Sequence, residues 1–220
     1  MWEIKIGKGS VKDAKAIGEL YLKSFPESAE LFFNIDNIDH SNSNRVNSIA
    51  ASGFELVLRS ACSSYICYDQ HNPGKLFGYC IVSTKNGLPV LRLFTPRNIG
   101  KTIGLSLIIL SKLSFGELMK LGRNSLMQIK KSGDDTPKRL PGGRIISIAV
   151  HPDARGLGLG KALLKEALDF LGKNKIRATY LEVRPNNLPA KKMYEKMGFY
   201  QYGATQDLQG PWLRLVRVNN

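Results

Sequence analysis

The chain has 220 residues, 43% of them hydrophobic and 23% charged, which suits one globular domain spanning residues 1–220. It holds no run of about 20 apolar residues, its first residues lack a secretory-leader layout, and Cys62, Cys67 and Cys80 form no CxxC pair. A disulfide framework and a zinc site are therefore not expected, no metal is called for, and a reducing cytoplasm is the expected location. The charge is less ordinary: 32 Lys+Arg against 18 Asp+Glu leave a formal +14, which favours anionic partners without choosing among them.

In chain order, residues 2–8 alternate apolar and polar and read as a strand. Ser10 offers an N-cap with Asp13 in the capping-box position, and Ala14, Ile17, Leu20 and Tyr21 follow at helical spacing. A short helix is expected over 28–38, a loop-like character over 34–44, and a further helix over 45–62 interrupted by Gly53. Residues 64–69 and 76–83 read as an antiparallel hairpin across the turn-rich His71-Asn72-Pro73-Gly74. Arg144–His151 is a β-branched strand, 161–172 an amphipathic helix, and 179–184 a strand. Pro189–Met197 is a helix closed by Gly198 at its C′ position, and the last strands fall at 199–203 and 212–218. Antiparallel strands followed by a strand–helix–strand–helix unit indicate an α/β (α+β) fold with a mixed, mostly antiparallel central sheet flanked by helices.

The sharpest feature is Ile148-Ala149-Val150-His151-Pro152-Asp153-Ala154-Arg155-Gly156-Leu157-Gly158-Leu159-Gly160-Lys161. A strand enters a glycine-rich turn that opens a helix. Glycines let the backbone approach a ligand closely, and the helix N-terminus adds partial positive charge, so a pyrophosphate suits the turn. Arg155 and Lys161 would supplement that field. The spacing is GxGxG, so the dinucleotide fingerprint GxGxxG fails, and GxxxxGK[ST] is absent.

This strand–loop–helix resembles the nucleotide-binding motif of the GNAT acetyltransferase superfamily, Arg/Gln-x-x-Gly-x-Gly/Ala, with Arg155, Gly158 and Gly160 at its positions. A second family block stands downstream as Asn187-Leu188-Pro189-Ala190, then Tyr194, then Gly198-Phe199. Between them, Leu181-Glu182-Val183-Arg184 is similar to the matching strand of the branch that acetylates ribosomal-protein N-termini. The resemblance covers residues 144–203 and extends loosely to 1–84. It implies the GNAT acyl-CoA acyltransferase fold, with acetyl-CoA as co-substrate between two splayed strands. Backbone groups of Ile148 and Val150 would hold the pantetheine arm, with Ala149 between them counted in the same cofactor-binding strand. Arg155 and the N–H groups of Gly156, Leu157, Gly158, Leu159, Gly160 and Lys161 would cradle the pyrophosphate, and Asn187 would bond the cofactor arm. Tyr194 would protonate the departing thiolate.

A carboxylate or a water-linked base must take the proton of the attacking amine. Glu182 is the candidate, since strand alternation puts Tyr180, Glu182 and Arg184 on one face with Leu181 and Val183 on the other. The competing reading pairs Glu182 with Arg184 or another basic neighbour as a sheet-surface charge. Several lysine acetyltransferases of the superfamily keep a Glu where this chain has Arg144, so a histone-like mechanism does not carry over. His151 reads as a strand-end residue without a catalytic role.

Residues 88–140 exceed the usual connection before the phosphate-loop strand. Apolar spacing from Ile99 to Leu126 suggests two helices divided near Ser114–Gly116. Between Arg97 and Arg139, nine basic residues oppose three acidic ones. Three readings stand: a lid shaping the acceptor pocket, a basic amphipathic surface for peripheral membrane or anionic-partner contact, or an enlarged core or dimer contact. The function expected is direct transfer of an acetyl group from acetyl-CoA to a primary amine of a small molecule, such as an amino sugar. A protein N-terminus is the alternative acceptor, and a non-catalytic acyl-CoA sensor the alternative role. No specific nucleic acid is expected, and the chain is expected to be a monomer or homodimer.

Overall fold

The computed structural model describes residues 3–33, 40–61, 63–85, 90–131 and 141–219, so Cys62 and residues 132–140 of the insertion lie outside them. Seven strands form one sheet in the order β1-β2-β3-β4-β5-β7-β6. They are β1 (Ile4–Lys8), β2 (Ser63–Asp69), β3 (Asn72–Ser83), β4 (Gly143–Val150), β5 (Ala178–Val183), β6 (Tyr200–Asp207) and β7 (Gly210–Val218). Every neighbouring pair is antiparallel except β4 and β5, which run parallel.

Helices cover both faces. On one, α1 (Ala14–Ser24) and α3 (His40–Ser60) enclose Ile17, Leu20, Leu58, Tyr79 and Ile81. On the other, α6 (Leu159–Lys173) buries Leu163, Leu164, Ala167, Leu168 and Leu171 against the sheet, joined by Tyr194 of α7 (Leu188–Lys196). The Ser10–Asp13 capping box forms as expected, ahead of a short 3-10 turn that leads into α1. α2 (Pro26–Phe33) follows α1 at once.

Two local expectations are corrected. Residues 40–44 belong to α3 rather than to a loop, and Gly53 lies inside that helix without breaking it; tertiary packing overrides the weak helix propensity of Asn and Ser. The hairpin turn is tighter than His71–Gly74 suggests, because β3 already begins at Asn72, opposite Asp69.

Gly142 and Gly143, which read as turn punctuation in the sequence, have a packing role. A Cβ on Gly142 would lie 2.4 Å from the Ala178 carbonyl oxygen, and one on Gly143 would lie 2.7 Å from that of Ser83. The start of β4 is thus pinched between β3 and β5 at a spacing only glycine permits. Gly143→Ala is expected to cost about 2 kcal/mol, a fall in Tm of roughly 5 °C by calorimetry.

The insertion is ordered as two helices, α4 (Ile99–Lys112) and α5 (Phe115–Lys131), bent by 118° at the break. The break has a cause. Glu117 accepts from the Ser114 N–H at 2.6 Å while the Glu117 N–H donates to the Ser114 hydroxyl at 3.3 Å, a capping box that starts a new helix. Arg45 of α3 grips both Glu117 oxygens, at 3.0 and 2.9 Å, and donates at 2.8 Å to the Lys112 carbonyl ending α4. Burial pushes the Glu117 carboxyl up, but these hydrogen bonds outweigh it and hold the group below the ordinary glutamate range. α5 also reaches the far side of the fold: Asn124 accepts from the Leu208 N–H at 3.0 Å, and Lys120 donates to the Leu31 carbonyl at 3.1 Å.

Candidate functional site

β4 and β5 pair only at Gly143–Thr179 and Arg144–Tyr180. Beyond that point β4 keeps β3 as its one strand neighbour. Its ladder with β3 shifts register between Ile81 and Val82: Val82 faces Ile145 and Ile81 faces Ser147, leaving Ile146 as an extra residue. Such a bulge bends and twists the strand, which turns β4 away from β5.

Past the bulge, the His151 N–H donates to the Phe77 carbonyl at 2.8 Å. Bonded and non-bonded residue pairs alternate in an antiparallel ladder, so Ala149 spends its backbone groups on β3. The backbone groups of Ile148 and Val150 therefore face the gap on the β5 side. In agreement, the Val150 carbonyl accepts from the Ser24 hydroxyl at 3.4 Å rather than from β3. Ile148 and Val150 are the two strand residues expected to hold a ligand arm, and theirs are the backbone groups that face this gap.

The loop after β4 is built for close approach. Gly156 and Gly158 have φ of 84° and 76°, where a Cβ costs about 1 kcal/mol. Gly158 is the N-cap of α6 and no side chain caps that helix. The Ala162 N–H bonds to Gly158, while those of Leu159, Gly160 and Lys161 precede the first helical bond and project from the N-terminus. Gly160 is less constrained: a Cβ there would meet the Met193 sulfur at 3.4 Å, an ordinary van der Waals contact between α6 and α7. An open cavity of about 350 Å³ lies at this junction, lined by Lys161, Pro189, Lys192, Met193 and Lys196. Three ammonium groups beside a helix N-terminus make a site for phosphate. Arg155 is exposed and reaches the Ser24 carbonyl at 3.5 Å, so it stands beside the loop rather than inside it.

Asn187 caps α7, its Oδ1 accepting from the Ala190 N–H at 3.2 Å. Its amide NH2 is the part left to donate to a ligand. Tyr194 lies seven residues on, 5% exposed. Its ring is fixed by the end of its own helix: Gly198 takes φ of 83°, the Phe199 N–H donates back to the Tyr194 carbonyl at 3.0 Å, and the two rings meet at 5.8 Å. Burial, with the nearby Cys80 thiol adding to it, pushes the Tyr194 hydroxyl well above the ordinary tyrosine range. The phenol therefore keeps its proton at neutral pH and has it to donate. Cys80 faces Ile148 across the β3–β4 ladder, which sets Tyr194 beside the splayed strand.

Alternation on β5 is as expected, with Leu181 and Val183 in the α6 core and Tyr180 on the opposite face against Tyr202. Glu182 is held by two guanidiniums, Arg144 at 2.7 Å and Arg214 at 3.5 Å. The pairing with a basic neighbour set out as the alternative to a base is thus the contact present, though its partner is not Arg184. Arg184 instead binds Asp207 and Gln209 at 3.1 and 2.6 Å and lies 3.7 Å over the Trp212 ring. Arg214 escapes a sequence reading; its signal is a charge inside the apolar run 212–216, cross-strand from Glu182.

Buried thiols and phenols give the fold a defined pH response. Burial raises Cys67 to about 12 and pushes Cys80, Tyr79 and Tyr194 higher still. Below their unfolded values, near 9 for the thiols and 10 for the phenols, folded and unfolded chains bind these protons equally. Above them the unfolded chain releases protons that the folded one retains, so stability falls. Tm is expected to be flat from neutral pH to about 9 and then to drop, each group costing up to about 1.4 kcal/mol per pH unit.

The splayed parallel pair and the uncapped glycine loop lie within the part of the chain that is similar to known proteins. Residues 126–199 match the acetyltransferase (GNAT) family model. Over its whole length the chain shares its fold with the structure titled histone acetyltransferase HPA2 and related acetyltransferase from Corynebacterium glutamicum, with a TM-score of 0.61, 17% identity, and 100% and 98% of the two chains covered. The ribosomal-protein-S18-alanine N-acetyltransferase of Escherichia coli superposes with a TM-score of 0.51 at 14% identity, covering 98% and 93%. Residues 126–199 are thus similar to the GNAT family, and the chain as a whole shares the fold of these acetyltransferase structures.

Among curated relatives, the [ribosomal protein bS18]-alanine N-acetyltransferase of Escherichia coli K12 is 44% identical over 55 residues, 25% of this chain and 37% of that protein. The mycothiol acetyltransferase of Thermomonospora curvata is 37% identical over 71 residues, 32% and 24% of the two. The chain thus spans about a third or less of the length of the curated relatives it matches.

Proposed function

We propose that this protein is an acetyl-CoA-dependent N-acetyltransferase that moves an acetyl group to the primary amine of a small molecule by direct transfer. The observation that supports this most is the unpaired inner edge of β4 at Ile148 and Val150, leading into the uncapped N-terminus of α6. The residues present fit the co-substrate. The Ile148 and Val150 backbone suits an amide-bearing arm, the loop Gly156–Lys161 suits a pyrophosphate, and Asn187 retains a free amide donor. Arg155 borders the same loop and adds positive charge. Acetyl-CoA supplies the activated thioester.

Tyr194 then supplies a proton to the leaving sulfur as negative charge develops there. Glu182 takes up the amine proton. Of its two partners Arg144, with 29% of its side chain exposed, can yield to the incoming ammonium, whereas Arg214 at 3% is fixed. The two cysteines among the described residues are not used: burial pushes the thiols of Cys67 and Cys80 far above the ordinary range, so neither offers a thiolate nucleophile.

The test is release of free thiol from acetyl-CoA across an amine panel containing amino sugars, polyamines and a peptide beginning with alanine. Turnover on a small amine supports the proposal. Turnover on the peptide alone reassigns the acceptor to a protein N-terminus, and CoA binding without turnover on any amine makes the protein a sensor. In the active pair, Gly158→Ala is expected to raise the KM for acetyl-CoA about tenfold with kcat little changed, since it disturbs only the loop that grips the phosphates.

A further inference from the structure

The insertion exposes more apolar surface than a free helix pair in water can justify. On α4, Ile103, Leu107 and Leu110 follow one another along one face and are 54%, 60% and 52% exposed. On α5, Phe115, Leu118 and Met119 are 79%, 45% and 52% exposed. The opposite faces are already used: Thr102 and Leu105 of α4 and Glu117 of α5 are buried. The arrangement is held in place, because Arg45 and the Ser114 capping box fix the break between the two helices.

Charge decides what covers this face. Residues 97–131 carry seven Lys and Arg and a single acid, Glu117. That acid is buried and bonded to Arg45, while Arg97, Lys101 and Arg123 are exposed, so the segment carries exposed cations beside its apolar face with no exposed carboxylate to offset them. A second copy would bring the same basic rim against this one and repel it. An anionic bilayer meets both demands, taking the apolar side chains below its headgroups and the rim against its charge. No single helix among the described residues is long and apolar enough to cross a membrane, and the sharp bend suits two helices lying in the interface.

We propose that the exposed face of α4 and α5 is a peripheral docking surface for anionic lipid. Because α5 also bonds to Leu31 of α2 and to Leu208 between β6 and β7, docking would bring that side of the fold to the bilayer. The proposal does not depend on the chemistry assigned to the cleft.

The test is sedimentation of the full chain with vesicles of phosphatidylcholine alone or mixed with phosphatidylglycerol. Binding is expected to the mixed vesicles and not to phosphatidylcholine alone, and to weaken as salt is raised. Joint Leu107→Gln, Phe115→Ser and Leu118→Gln substitution, on side chains already in water, is expected to lower that binding at least about tenfold with circular dichroism unchanged. No binding to mixed vesicles would overturn the proposal, as would binding that the triple substitution leaves intact. Self-association of the wild type, abolished by the same substitutions while vesicles are ignored, would assign the face to a second copy instead.

Discussion

Tyr194→Phe is expected to lower kcat for acetyl transfer by about 100-fold while leaving the KM for acetyl-CoA within about twofold. The change removes one hydroxyl and nothing else. The ring stays seated against Phe199, and the closing turn at Gly198 uses backbone atoms that the substitution does not touch. Tm should therefore hold or rise slightly, because a buried hydroxyl is replaced by hydrogen. Steady-state kinetics with a thiol readout, beside a thermal melt, checks both parts. An unchanged kcat would remove Tyr194 from the chemistry and return it to the core as an ordinary aromatic.

Glu182→Ala is expected to act on stability and on rate together. Arg214, 3% exposed, loses the carboxylate facing it across the β5–β7 ladder, and removing one member of a largely buried ion pair is costly. A loss of about 2 kcal/mol is expected, less than for a fully buried pair because Glu182 keeps 24% of its side chain exposed. Glu182→Gln separates the roles. As a base, Glu182 should take with it the acid limb of the kcat/KM profile and about 100-fold in rate. As a charge anchor alone, it should leave that limb in place while Tm still falls.

The parts of the site legible in the sequence are those that a single residue type enforces. Gly156 and Gly158 announce positive φ, and the helix they open announces an anion site. Gly198 fixes the end of α7 and, through Phe199, the setting of Tyr194. The gap between β4 and β5 had no such letter. It depends on the register shift at Ile146, and one isoleucine among Ile145, Ile146 and Ile148 looks like another. The resemblance of motifs implied both the splay and the part of Ile148 and Val150; the ladder supplies the physical reason that Ala149 does not face the gap.

Charge partners were equally hidden. Alternation put Glu182 and Arg184 on the same face, yet Arg184 leaves the strand to bind Asp207, and the two arginines that hold Glu182 come from other strands. Gly142 and Gly143 read as turn residues because nothing local says that two neighbouring strands press on them. The insertion was legible to its hinge, since Ser114-Phe115-Gly116-Glu117 is a capping box in any context. Arg45, which clamps that hinge from α3, was not.

The central claim is that the unpaired edge of β4 receives the arm of coenzyme A. Residue-resolved amide hydrogen exchange, with and without coenzyme A, tests it most directly. The amides of Ile148 and Val150 should exchange markedly more slowly when coenzyme A is added, together with those of Leu159, Gly160 and Lys161, while Ala149, already bonded to β3, should not change. Coenzyme A that binds without protecting Ile148 and Val150, or that fails to bind at all, would contradict it.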